Sequence, residues 1–70
     1  MSVSDFYRAE QAAHRRARTA LQILLDDAER ALRWHSIPSG QRPTTGGRLQ
    51  GCTVSALRAI AEECRRGLGS

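Results

Sequence analysis

The sequence predicts an all-α fold, a helical hairpin of one long and one short helix, and three observations carry that prediction. Positions 5 to 35 hold neither Gly nor Pro and are rich in Ala, Leu, Arg, Glu and Gln, the residues that lose least on entering a helix. Positions 36 to 52, SIPSGQRPTTGGRLQGC, then gather four of the six Gly and both Pro. Apolar residues return at helical spacing from Val54 to Cys64, and no stretch alternates in the manner of a strand.

The first helix is expected over about 3 to 35. Ser2 with Asp5 three residues later forms a capping-box-like pair, Met1 and Phe6 can make the flanking hydrophobic staple, and Ser4 is an alternative cap. Ser36, Pro38 and Gly40 end the helix, since Pro lacks an amide donor and biases the residue before it away from helix. Projected at about 100° per residue, Phe6, Ala13, Ala17, Ala20, Leu21, Leu24, Ala28, Ala31 and Leu32 fall on one face, with Leu25 at its edge. Within that face Ala17, Leu21, Leu24, Ala28 and Ala31 follow the four-three spacing of a coiled-coil seam.

The segment 36 to 52 reads as a long irregular loop, because helix-to-helix connections usually run about 2 to 8 residues. Thr53 or Ser55 caps a second helix over about 53 to 66, with Val54, Leu57, Ile60, Ala61 and Cys64 at helical spacing on one side. Arg65 and Arg66 suit its C-terminal dipole, Gly67 is the expected stop, and 67 to 70 is expected to be a mobile tail. The whole chain is one domain, 1 to 70.

Helix lengths lead to an expectation about assembly. A first helix of about 31 residues spans about 46 Å, whereas a second of about 13 spans about 20 Å. The stripe from Phe6 to Ala20 therefore stays uncovered unless another chain meets it, and a homodimer packed through the first helix is expected. Composition agrees, because the large apolar side chains are seven Leu, three Ile, two Val, one Phe and one Trp, a thin core for a chain of 70 residues. Phe6, Ala13, Ala17, Ala20, Leu21, Leu24, Ala28, Leu32, Leu57 and Ile60 are the expected dimer and core positions.

Eleven Arg against seven acids give a net charge of +4. The densest basic cluster is His14, Arg15, Arg16 and Arg18, but these side chains fan around the helix. Asp26 and Asp27 point about 100° apart and cannot act on one substrate atom together, while Asp26 with Arg30 and Glu29 with Arg33 stand at the spacing of helix-supporting pairs. No nucleophile, base and orienting group assemble, so an enzyme is the weakest reading. His14, His35, Cys52 and Cys64 lack the short spacings of a metal site, and TTGGR at 44 to 48 lacks the Lys and flanking strand of a phosphate loop, so no metal or cofactor is expected. Cys52 and Cys64 lie 12 positions apart across the second expected helix, roughly 18 Å, too far to bridge, and read as free thiols. The longest run of large apolar residues, 23 to 25, is far below the ~18 of a membrane span, so a soluble, cytoplasmic protein is expected.

Ile23 and Trp34 fall off the core face beside Arg16 and Arg30, a combination that either the second helix or loop covers or a partner protein contacts. With Arg42 and Arg48 of the loop, these six are the candidate partner contacts. The layout, with its PSG, PTTGGR and GCTV stretches, resembles the small phage-encoded helical hairpins that act as anti-activators of bacterial quorum-sensing transcription factors. That resemblance implies a dimeric inhibitor in a bacterial host cell, binding the DNA-binding domain of such a factor and also a pilus-assembly ATPase. The alternative is a small nucleic-acid-binding or transcriptional accessory protein using Arg8, Arg15, Arg16 and Arg18.

Overall fold

We describe the fold from a computed structural model, which describes residues 3 to 69. Helix α1 runs Val3–Ser36, a single 3-10 turn follows at Ser39–Gln41, and helix α2 runs Val54–Gly69. The described residues hold no strand, and the two helices pack against each other as an antiparallel hairpin. The expected caps and staple at Met1 and Ser2 lie outside the described residues, as does Ser70. Ser4 falls inside α1, so it is not the cap. No described helix is long and apolar enough to cross a membrane.

The buried core is small: Leu25, Ala28 and Ala31 of α1 against Leu57, Ala61 and Cys64 of α2. Leu21, Leu32, Leu49, Cys52, Ile60 and Leu68 pack around it, half-buried. The two small residues Ala28 and Ala31, facing α2, let the helix axes approach closely. This seam corrects the expected one. Leu25, placed at the edge by projection, is 7% exposed, while Leu24, placed inside, is 38% exposed. Leu25 takes the place expected of Leu24 and rotates the seam toward Leu21, Leu25, Leu32 and His35, while Ala28 and Ala31 are fully buried as expected. The rotation follows from where α2 sits, a tertiary choice that a broad apolar stripe leaves open.

The second helix is also longer than expected. Thr53 caps it, its Oγ1 accepting from the amide of Ala56 at 3.1 Å. At the other end Gly67 is helical and does not stop the chain, so 67 to 69 are no irregular tail. A Cβ on Gly67 would lie 2.8 Å from Leu21 Cδ1, so this glycine serves close approach of α2 to α1. Its charged partner across the hairpin is modest: Arg65 stands 3.9 Å from Glu29 in a solvent-exposed pair. Glu29 thus faces α2, and Asp26 accepts from Gln22 Nε2 at 3.0 Å, so neither meets the i+4 Arg expected of it in the bonds seen.

The connection 37 to 53 is not featureless. Trp34 Nε1 donates to the Pro43 carbonyl at 2.9 Å, and Gly46 lies flat on the indole, where a Cβ would come within 2.5 Å of Trp34 Cγ. Gly47 has φ +96°, a left-handed backbone that favours glycine, and it passes over the Arg30 side chain. The Gln50 side chain accepts from the Gly46 amide at 2.7 Å, and a turn through 47 to 52 delivers the chain to Thr53.

Candidate functional site

The most unusual feature of the molecule is the first half of α1. Because α2 has 16 residues and α1 has 34, the hairpin ends near Leu21. Residues 3 to 20 extend beyond it, and every one of them is exposed except the half-buried Ala12. Val3 at 86%, Phe6 at 63% and Tyr7 at 60% hold large apolar surface in water. They lie on the side of α1 that, further along, receives α2. The molecule is consequently 60 × 21 × 14 Å, with a radius of gyration of 16.6 Å against about 11 Å for a compact chain of this length. Its accessible surface, 5401 Å², exceeds by roughly 1,100 Å² the ~4,300 Å² expected for a compact protein of 7.7 kDa.

The predicted dimer positions Phe6, Ala13, Ala17 and Ala20 all lie in this exposed half, as the helix lengths required. Val3 and Tyr7 belong to the same apolar surface and are missing from the predicted stripe. The signal that finds them is the spacing 3, 7, 10, 14, 17, 21, which continues the row Leu21, Leu25, Ala28 and Leu32 toward the N-terminus. Glu10 and His14, one turn apart, are the polar members of that row and border a shallow depression with Tyr7 and Gln11. Where the bare half meets the hairpin, Leu21, Leu24, Ala59, Ile60, Glu63 and Cys64 line an open, mainly apolar groove of about 450 Å³.

The six predicted partner contacts divide into two groups. Trp34 and Arg42 are occupied by the fold. Arg42 Nε donates to the Ile37 carbonyl at 2.8 Å and Nη2 to the His35 carbonyl at 3.0 Å, while its guanidinium sits 4.8 Å from the centroid of the Trp34 ring. This closes the C-terminal end of α1, where carbonyls lack later amides to accept from. Ser36 Oγ adds a bond to the Arg33 carbonyl at 2.6 Å. Of the two covers weighed for Trp34, the loop supplies one, leaving the ring half-buried. Ile23, in contrast, is 53% exposed, and Arg16, Arg30 and Arg48 are exposed as well, although the aliphatic part of Arg30 lies under Gly47.

The remaining candidates behave more simply. Arg8, Arg15, Arg16 and Arg18 are all exposed on the bare half. His35 stands edge-on to Trp34, and its Nε2 donates to the Cys52 carbonyl at 3.2 Å, since a carbonyl can only accept. Cys52 is half-buried and Cys64 buried, and both are free thiols. Among the described residues, no three His, Cys, Asp or Glu side chains group to hold a metal ion. In comparisons with known proteins, no family model, curated protein or solved structure matches this chain.

Proposed function

We propose that this chain is a non-enzymatic protein-binding module that works as a homodimer and inhibits a bacterial regulatory protein by occupying its surface. The observation that carries the proposal is the bare half of α1, an eighteen-residue helix with Val3, Phe6 and Tyr7 in water. Exposed apolar surface on this scale marks an interaction site. The target face is Ile23 with Arg16 and Arg30 two turns to either side of it along α1, and with exposed Arg48 following Gly47, which lies over Arg30. Trp34 and Arg42 support that face by holding the loop against α1. The resemblance noted above makes the DNA-binding domain of a quorum-sensing transcription factor the first target to test, with a pilus-assembly ATPase second.

The test is capture of each purified candidate by the tagged chain, after nuclease treatment, at low and moderate salt. An interface with an apolar centre keeps its partner at moderate salt, and Ile23→Asp releases it. Recovery that disappears with nuclease, or falls steeply with salt through counterion release, makes the chain a nucleic-acid-binding protein using Arg8, Arg15, Arg16 and Arg18.

A further inference from the structure

We infer that the bare half of α1 is covered by the same segment of a second copy, running antiparallel, in a register that sets Glu10 of each copy against His14 of the other. The inference rests on the homodimer proposed above and specifies its geometry. Three observations lead to it, beginning with surface area. The excess of roughly 1,100 Å² per chain over a compact protein of this mass is enough to supply the ~800 Å² that each partner contributes to a standard interface.

The second observation is continuity. The row Leu21, Leu25, Ala28 and Leu32 is occupied by α2, and its extension toward the N-terminus is Ala17, His14, Glu10, Tyr7 and Val3. A second α1 laid along that extension begins where α2 ends, beside Gly67 and Leu68. Every turn of both long helices then has one helix against it. The overlap of residues 3 to 21 is about 27 Å, and the two α1 helices together span about 75 Å, with a helix against each along its whole length.

The third observation is complementarity within the row, and it selects the direction. In an antiparallel pair with Glu10 opposite His14, position 7 faces 17 and position 3 faces 21. Tyr7 then meets Ala17, a large side chain against a small one, and Val3 comes up to the end of α2, where Leu21 packs on Gly67. The carboxylate of Glu10 accepts from the His14 ring, which carries at least one N–H in either protonation state, and symmetry makes this bond twice. A parallel pair in the same register would instead stack Glu10 on Glu10 and His14 on His14.

Cysteine linking of the full chain tests the register. Positions 7 and 17 are about 15 Å apart along one helix, too far to bridge within a copy. The double variant Tyr7→Cys/Ala17→Cys is expected to become a covalent dimer under mild oxidation, while Tyr7→Cys alone and Ala17→Cys alone stay unlinked, as does the unmodified chain. Either single variant linking to itself overturns the antiparallel register and leaves the dimer standing. Sedimentation equilibrium gives the independent reading: Glu10→His weakens association about tenfold, through two lost hydrogen bonds, and adding His14→Glu restores it. A chain that sediments as a monomer at high micromolar concentration overturns the inference and the dimer together, while capture of a target by that monomer would leave the protein-binding reading intact.

Discussion

The two halves of α1 are built from the same helix-forming residues but are held in the helical state by different means. Residues 21 to 36 bury Leu25, Ala28 and Ala31 under α2 and carry the loop on Trp34. Residues 3 to 20 have no such cover. An isolated helix of about that length is marginal in water, because nucleation is costly even when propagation is favourable. The bare half avoids the nucleation step by growing from a turn that the hairpin has already fixed. Within a single chain its helicity is thus borrowed from the packed half, and substitutions in the two halves should differ in kind as well as in size.

The largest effect is expected from Leu57→Ala. Leu57 is fully buried between the helices, and a cavity there costs about 3 kcal/mol in a core of six residues. Chemical denaturation followed by circular dichroism should show the midpoint falling sharply, with helicity in both halves lost together. Retention of the N-terminal half's helical signal after the hairpin melts would break the comparison, since that half would then be nucleating itself.

Gly46→Ala comes next and tests the loop. A Cβ there would overlap Trp34 Cγ, Cβ and Cδ2, all within 3 Å, so either the indole or the backbone must move, at about 2 kcal/mol. Trp fluorescence is expected to shift to the red as the ring enters water, and amide exchange to accelerate from 43 to 50 while α2 stays protected. Thr53→Ala follows at about 1 kcal/mol through loss of the bond to the Ala56 amide, read as a lower denaturation midpoint.

These expectations also show what could be read before any coordinates. The limits of α1, the irregular segment and a hydroxyl cap at Thr53 or Ser55 depend on local chemistry, such as Pro38 and Gly40, and local chemistry is visible in one sequence, although only the fold selects Thr53. The choice between Leu24 and Leu25 is not local. Both lie on a broad apolar stripe, and only the position of α2 decides which is buried. Gly67 reads as a stop for the same reason: its role is the space it leaves for Leu21, 46 positions earlier. Trp34 is legible as an anomaly, but its cover comes from Pro43, Arg42 and Gly46, and nothing in a helical projection says which way a loop will fold back. The bare half of α1 was the most legible part of the candidate site, because two helix lengths suffice to require it.

The smallest effect on global stability is expected from Ala13→Gly, and it is the most telling. In a helix interior this change costs about 1 kcal/mol. If residues 3 to 20 merely extend from a fixed turn, that cost is avoided by fraying: the helix ends nearer Ala13, ellipticity at 222 nm drops, and the global midpoint moves by less than about 0.5 kcal/mol. The outcome depends on concentration if a second copy covers this half. At concentrations where the dimer forms, fraying also breaks the interface, so the full cost reaches the global transition and the midpoint falls with it. A titration of wild-type and Ala13→Gly chains from dilute to concentrated solution therefore separates a helix borrowed from its own hairpin from one held by a partner, and the midpoint gap between them should open as dimers appear.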